Sequence, residues 1–451
     1  MMRALLYFFF SALIFTGCGT SQKSESPDNQ ILVQELGYAA KEQLMDKWYP
    51  LALDHDDGGY YSQITQDFKI GEKHDKMIVT QARHIWTNAK AAGFYPENQT
   101  YLDYSEHGFQ FLRDKMWDSV HGGFHNLVTK EGEPVLQKGQ EKTAYGNAFA
   151  IYGLAEYYRA SGNEEALELA KDAFYWLEKM AHDPEHKGYF NTLEIDGTTI
   201  KRTSEWPSTS DVGYKDQNSS IHLLEAFTTL YEVWPDELLR ERLEELLILI
   251  RDTITTDKGH MNLFFEQDWT PVSFKDKTKE EIKRHYYLDH VSFGHDVETA
   301  YLMLEASHAL GLENDSVTLQ KGKKMVDHSL STGWDQEVGG FYDGGYYFPD
   351  EKEISIVNSK KNWWAQAEGL NTLFIMSQLF PEDERNYRRY FEEQWDYIQT
   401  YIMDDEYGGW YEWGLDQTPQ AKDDLKGHIW KAAYHNFRAL QNVLKMLKEE
   451  N

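Results

Sequence analysis

Residues 142–181 read KTAYGNAFAIYGLAEYYRASGNEEALELAKDAFYWLEKMA. The first half, to Ser161, is largely apolar and rich in aromatic and small side chains. From Glu164 onward, apolar and charged residues alternate at helical spacing, which gives one greasy and one charged face. Ser161-Gly162-Asn163 between the halves has turn chemistry. A helix without a polar face has to be enclosed, and a helix with one charged face can enclose it. The stretch therefore predicts an inner helix, a short turn and an outer helix. Just upstream, WDSVHGGFH at 117–125 places an acidic residue, Gly-Gly and aromatics in a row. That order reads as a tight turn feeding a short strand.

The same motif recurs along the chain, as DHDDGGYY at 54–61, HDPEHKGYF at 182–190 and TDKGHMNLFF at 256–265. It returns as WDQEVGGFYDGG at 334–345 and DDEYGGWYEW at 404–413. Successive copies lie roughly 60–80 residues apart, the mark of a repeated supersecondary unit. Inner-helix candidates begin near residues 80, 143, 217, 293, 361 and 432. Outer-helix candidates occupy 101–117, 164–181, 236–254, 315–334 and 382–402, and ILVQELGYAAKEQLMDKWYPLA at 31–52 supplies the sixth. A chain that opens on an outer helix and closes on an inner one can complete a ring. The expected fold is all-α, an (α/α)6 barrel with short β-hairpins at one end. An open α-solenoid is the alternative; the aromatic load favours a ring, because it needs a common interior.

The chain of 451 residues is 41% hydrophobic and 15% aromatic, enough for a large core. Its 75 acidic and 45 basic residues give a formal charge of −30, which disfavours nucleic acid and suits neutral substrates. Residues 1–17, MMRALLYFFFSALIFTG, carry one Arg before an apolar run too short for a mature membrane span. Cys18, the only cysteine, ends that run in a lipobox-like context. The expectation is a lipoprotein signal at 1–17, a lipidated Cys18, a flexible tether over 18–30 and one barrel domain from 31 to 451. The protein would then be anchored by lipid in a bacterial cell envelope, as a monomer. A plain signal peptide with an incidental Cys18 is the alternative.

Aligned with one another, the inner-helix starts carry polar and aromatic residues at comparable positions. They are Arg83; Tyr145 with Asn147; Asn218 and His222; His295 and Glu298; Trp363 and Trp364; and Trp430 and His435. In a closed ring these converge on one end of the barrel. Each could instead serve packing, but their joint placement favours a site. Histidine both takes and gives protons near neutral pH. Two histidines flanking a carbon can remove a proton from one face and return one to the other. Six helix N-termini aimed at one cavity, with Arg83, would stabilise an enediolate and favour neutral imidazole. Tryptophans offer flat platforms for sugar rings. Glu298 and Asp296 leave a glycoside hydrolase or lyase open, although such enzymes normally use two opposed carboxylates. His295 and Glu298 at i, i+3 leave a metal site open, with the remaining ligands at distant His222 and His435. A surface glycan-binding lipoprotein without catalysis is the third class.

The segments YGNAFAIYGLAEYYRASG, NSSIHLLEAFTTLYEVWPD, FGHDVETAYLMLEAS, NWWAQAE and WKAAYHN resemble the N-acylglucosamine 2-epimerase superfamily, most of all its cellobiose and mannobiose 2-epimerase branch. The similarity runs from about residue 31 to the C-terminus. It implies inversion at carbon 2 of a reducing-end sugar through a cis-enediolate, with no metal and no cofactor. It also implies that His295 and His435 form the acid/base pair, with His222 aiding ring opening or polarising oxygen. Arg83, Asn218 and Glu298 would bind substrate, with Glu298 also placed to orient a histidine, and Trp364 and Trp430 would be the platforms. Tyr145 is a further binding candidate. The chain departs from the family at YKDQN before Asn218 and at the two alanines of WKAAYHN. A monosaccharide or N-acylglucosamine epimerase remains open as the substrate alternative.

Overall fold

The computed structural model describes residues 27–449. The segment 1–17 expected to be a signal, Cys18 and most of the expected tether lie outside the described residues. Helix α1 (Pro27–Ala40) begins four residues inside the segment expected to be tether. It passes through a π-helical turn at Lys41–Met45 into a short α2 (Asp46–Trp48). This is the outer helix expected from 31–52.

Next come β1 (Lys76–Met77), α3 (Ile78–Phe94), α4 (Thr100–Phe111), β2 (Leu127–Val128), β3 (Lys142–Thr143), α5 (Ala144–Ser161) and α6 (Glu164–Met180). The middle of the chain forms β4 (Thr192–Leu193), β5 (Lys215–Asp216), α7 (Gln217–Val233), α8 (Glu237–Leu249), β6 (Phe264–Phe265) and α9 (Lys279–Asp289). It closes with β7 (Val291–Ser292), α10 (Phe293–Ala309), α11 (Ser316–Thr332), β8 (Gly344–Tyr346), β9 (Ser355–Asn358), α12 (Trp363–Leu379), α13 (Tyr387–Tyr397) and α14 (Tyr434–Glu449).

Helices α3, α5, α7, α10, α12 and α14 are the inner ring. Each packs on the next, and α14 packs back on α3. That last contact makes a closed (α/α)6 barrel rather than a solenoid. Helices α4, α6, α8, α11 and α13 form the outer layer, and α1 covers α14. In α6 the buried residues Ala166, Leu167, Leu169, Ala170, Ala173, Phe174, Trp176 and Leu177 recur at helical spacing, as an outer helix requires. Three inner helices, α5, α7 and α12, start on a short polar cap. Thr143 accepts from the Gly146 N–H, Asp216 from Ser219 and Asn362 from Trp364.

The Gly motifs do not feed a strand directly. Each is a tight loop closed by one antiparallel bridge, Leu53↔Tyr60, Trp117↔Phe124, His182↔Tyr189, Thr255↔Met261, Trp334↔Phe341 and Met403↔Trp410. Gly123 shows why the second glycine is needed. Its φ is +73°, and a Cβ there would lie 2.7 Å from the Trp176 ring. Strands beside these loops pair antiparallel, β1 with β2, β3 with β4, β5 with β6, and β8 with both β7 and β9. Each pair ties the entry of one inner helix to the next repeat.

A buried lysine locks five of these loops. Lys76 bonds Asp54 at 2.9 Å, Lys142 bonds Asp118 at 2.7 Å and Lys215 bonds Asp183 at 2.8 Å. Lys361 bonds Asp335 at 2.8 Å and Lys426 bonds Asp404 at 2.6 Å. The fourth repeat differs, with Thr256 and Val291 at the corresponding places. There the loop N–H of Met261 donates to Asp296 at 2.9 Å, where Gln81, Asn147 and Gln366 serve the same purpose in other repeats. Asn147 is therefore a structural residue. Helix α9, strand β9 and the π-helical turns that end several outer helices have no counterpart in the repeat read from the sequence.

Candidate active site

Inner-helix N-termini and the hairpins lie at the same end of the barrel, and a cavity opens there. With its solvent-open mouth it measures about 510 Å³, and it is lined by Arg83, Tyr145, Asn218, His222, His295, Glu298, Trp363, Trp364, Trp430 and His435. Nine of these ten are the catalytic and binding residues singled out from the sequence. Trp363, the first residue of α12, was named with them at the helix starts but given no role. They arrive from all six inner helices or their approaches, because each repeat delivers the first turn of its inner helix to the same place.

Each histidine has its Nδ1 engaged. His222 Nδ1 contacts Glu225 Oε2 at 2.8 Å, and His435 Nδ1 contacts Glu368 Oε1 at 2.6 Å. Carboxylates only accept, so both rings hold the proton on Nδ1 and present a lone pair at Nε2. His295 Nδ1 is 2.8 Å from Ser292 Oγ. In each case Nε2 is left to exchange a proton with a ligand. Burial pushes His295 down to about 3, with His222, His290 and Arg83 adding to the effect. His435 is pushed well below its ordinary value by burial, then by Arg83 and Arg438. Both imidazoles are therefore neutral at physiological pH, the form that a base needs. The expected direction holds, but burial outweighs the positive field in causing it.

Beneath the cavity Arg438 joins three carboxylates. Its guanidinium contacts Glu225, Glu298 and Glu368, all buried. Tyr434 donates to Glu225 and Tyr301 donates to Glu368, each at 2.8 Å. Burial pushes Glu225 upward, yet Arg438, His222 and Tyr434 together hold it at about 2. Glu298 goes the other way, pushed up to about 7 by burial and the neighbouring Glu368. Glu298 thus bonds Arg438. The carboxylates that orient histidines are Glu225 and Glu368, which corrects the expectation that Glu298 would do so. Glu225 was visible as the i+3 neighbour of His222, and Arg438 as the i+3 neighbour of His435. Glu368 carried no such signal, because it reaches His435 from another helix.

The metal alternative joined His295 and Glu298 with distant His222 and His435; of these the structure groups Glu298 and His435, with Glu368 as the third donor. Ligand atoms of Glu298, Glu368 and His435 lie within 4.8 Å of one another. The Arg438 guanidinium already sets a positive charge against both carboxylates.

At the wall, Arg83 stacks on Phe149 at 4.3 Å and donates to Tyr145 Oη at 3.3 Å. Its Nε and the Asn218 Oδ1 are buried without a partner among the described residues, which leaves both for a polar ligand. Trp364 lies deep in the site, 4.7 Å from the His295 ring and 5.8 Å from the His435 ring. Trp430 stands at the mouth, 46% exposed and 6.5 Å from Tyr145.

The profile of the N-acylglucosamine 2-epimerase (GlcNAc 2-epimerase) family matches residues 59–439. A cellobiose 2-epimerase of Bacteroides fragilis is 29% identical over 92% of this chain and 99% of its own length. A D-mannose isomerase of Thermobifida fusca is 24% identical over 68% of this chain and 70% of its own. Among solved structures, the cellobiose 2-epimerase of Spirochaeta thermophila superposes with a TM-score of 0.79 at 28% identity, covering 95% of this chain and 99% of that one.

Proposed function

We propose, from the premise that the chain belongs to the N-acylglucosamine 2-epimerase family and is a carbohydrate epimerase/isomerase, that it inverts carbon 2 of the reducing-end sugar of a neutral disaccharide of the cellobiose or mannobiose type. The observation that carries this reading is the pairing of one deep and one outer tryptophan in a cavity that holds three histidines. Trp364 lies against His295 and His435, so the sugar stacked on it is the one that reacts. Trp430 at the mouth then serves a second sugar unit.

His295 and His435 act as the acid/base pair and His222 assists ring opening. With the ring open, the Nε2 of one histidine takes the carbon-2 proton, and the electron pair moves into a cis-enediolate. Arg83 and the helix N-termini stabilise the negative oxygen. The intermediate rotates, and the other histidine returns a proton to the opposite face. The net change is the configuration at carbon 2, with no redox change and no group lost. Glu225 and Glu368 keep their histidines in the useful tautomer and steady each imidazolium as it forms. No cofactor takes part in this scheme.

Incubation with cellobiose, mannobiose, mannose and N-acetylglucosamine, followed by chromatography of the products, tests the substrate. The 2-epimer of a disaccharide should form fastest. Turnover confined to mannose or N-acetylglucosamine would replace this reading with the monosaccharide one. Export rests on the sequence alone: we propose that Cys18 carries lipid and anchors a monomeric enzyme in the cell envelope. Recovery of the protein in the soluble fraction with an unmodified Cys18 would refute it.

A further inference from the structure

Trp430 is nearly half exposed, so packing alone does not fix its ring. Its orientation comes from a tight turn, 428–431, whose ends pair their main chains, the His428 N–H with the Lys431 carbonyl at 3.2 Å and the reverse at 2.9 Å. Inside this turn the Trp430 N–H donates to His428 Nδ1 at 3.2 Å. The opposite nitrogen, His428 Nε2, lies 3.1 Å from Glu412 Oε2. Only the tautomer with its proton on Nε2 satisfies both contacts, since Nδ1 has to accept while Nε2 donates. Glu412 is itself anchored to the site, because its carbonyl accepts the N–H of Trp363 at 3.0 Å. Lys431 ties the far side of the turn to the Trp410 carbonyl at 3.1 Å.

We propose that His428, braced by Glu412, is a positioning residue that holds Trp430 as the outer sugar platform and so sets affinity for the unit beyond the reacting ring. The inference rests on the disaccharide reading above. His428 touches no reacting atom. A platform at the mouth is engaged equally before and during proton transfer, so loosening it weakens ground state and transition state alike. The signature is a raised KM with kcat preserved.

The test compares His428→Ala, His428→Asn and Glu412→Ala in the full chain, with cellobiose and mannobiose as substrates. His428→Ala and Glu412→Ala should raise the KM of the substrate that is turned over by about five- to tenfold, with kcat within about twofold. His428→Asn keeps an acceptor two residues before Trp430 and should recover most of the loss. Acrylamide quenching of Trp430 fluorescence, taken as the difference from Trp430→Phe, should rise in the two alanine variants and not in His428→Asn. This readout needs no turnover, so it judges the positioning role even if the unmodified enzyme acts on neither disaccharide. In that event the function reading fails while the quenching result still decides the role of His428. Wild-type KM and wild-type quenching in His428→Ala would overturn the proposal. So would a fall in kcat and melting temperature shared by all three variants, which would mark a general structural role.

Discussion

Replacing Arg438 by Met strips the compensating charge from three buried carboxylates and leaves the volume nearly intact. The structure sets the size of the effect. Glu225 is held at about 2 in the folded protein, mainly by Arg438 against the upward push of burial. Its ordinary value is about 4.3, so this difference of about two units contributes roughly 3 kcal/mol. Breaking one partner out of a buried ionic cluster typically costs about 3–5 kcal/mol, in agreement. The sign follows from the depressed value. The contribution is fully present above the unfolded value near pH 4 and is lost as pH falls toward 2. Urea unfolding of Arg438→Met should therefore show a deficit of about 3–5 kcal/mol at pH 7 that shrinks as the pH is lowered below about 4. Activity should fall as well, because Glu368 without Arg438 takes up a proton and no longer orients His435 as a carboxylate. Loss of a positioned acid/base typically costs about 10²–10⁴-fold. Adding Glu298→Gln, which puts a neutral side chain in place of a carboxyl that would have to take up a proton, should restore part of the stability. An Arg438→Met protein that unfolds at the wild-type urea midpoint, or with a deficit that is the same at pH 7 and pH 3, would refute this account of the cavity floor.

Two further substitutions test the scaffold. Asp296→Asn should leave the fold at least as stable. Burial pushes this carboxyl well above its ordinary value, and its Oδ2 has no partner among the described residues. A raised carboxyl gives stability below its unfolded value and loses it as pH rises, so the advantage of Asn should grow from pH 5 to pH 8 in denaturant titrations; a loss of more than about 1 kcal/mol at pH 8 would contradict this. Lys142→Met should destabilise by about 3–5 kcal/mol by stranding the buried Asp118, and Lys142→Met with Asp118→Asn should regain much of it. A harmless single substitution would remove these lysine pins from the explanation of the loops.

The ring was legible because its unit repeats. The Gly motifs mark the period, and the contrast between a greasy helix such as 144–161 and a charged one such as 164–180 separates inner from outer. The same repetition exposed the site, since Arg83, His222, His295 and His435 fall at equivalent starts and the ring brings them together. What stayed hidden depends on pairs without a local pattern. Lys215 meets Asp183 from beyond the β4 region and a long loop, and nothing in either segment names the other. Helix α9 interrupts the fourth repeat, so the period conceals it. The family resemblance implied that Glu298 orients a histidine, yet Ser292 takes the neighbouring His295 and Glu298 turns down to Arg438. Helical spacing shows which side chains share a face, while the choice of partner depends on the neighbouring helices.

The central claim is proton transfer at carbon 2 by His295 and His435 from opposite faces. The direct measurement is incorporation of deuterium from heavy water into both epimers of the substrate, by the wild-type enzyme and by His295→Ala and His435→Ala. The wild type should label carbon 2 while interconverting the epimers. Each variant should lose epimerisation by about 10²–10⁴-fold or more, and any residual exchange should be confined to one epimer, the opposite one in the two variants. Near-normal epimerisation by both variants, or interconversion without deuterium at carbon 2, would contradict the account.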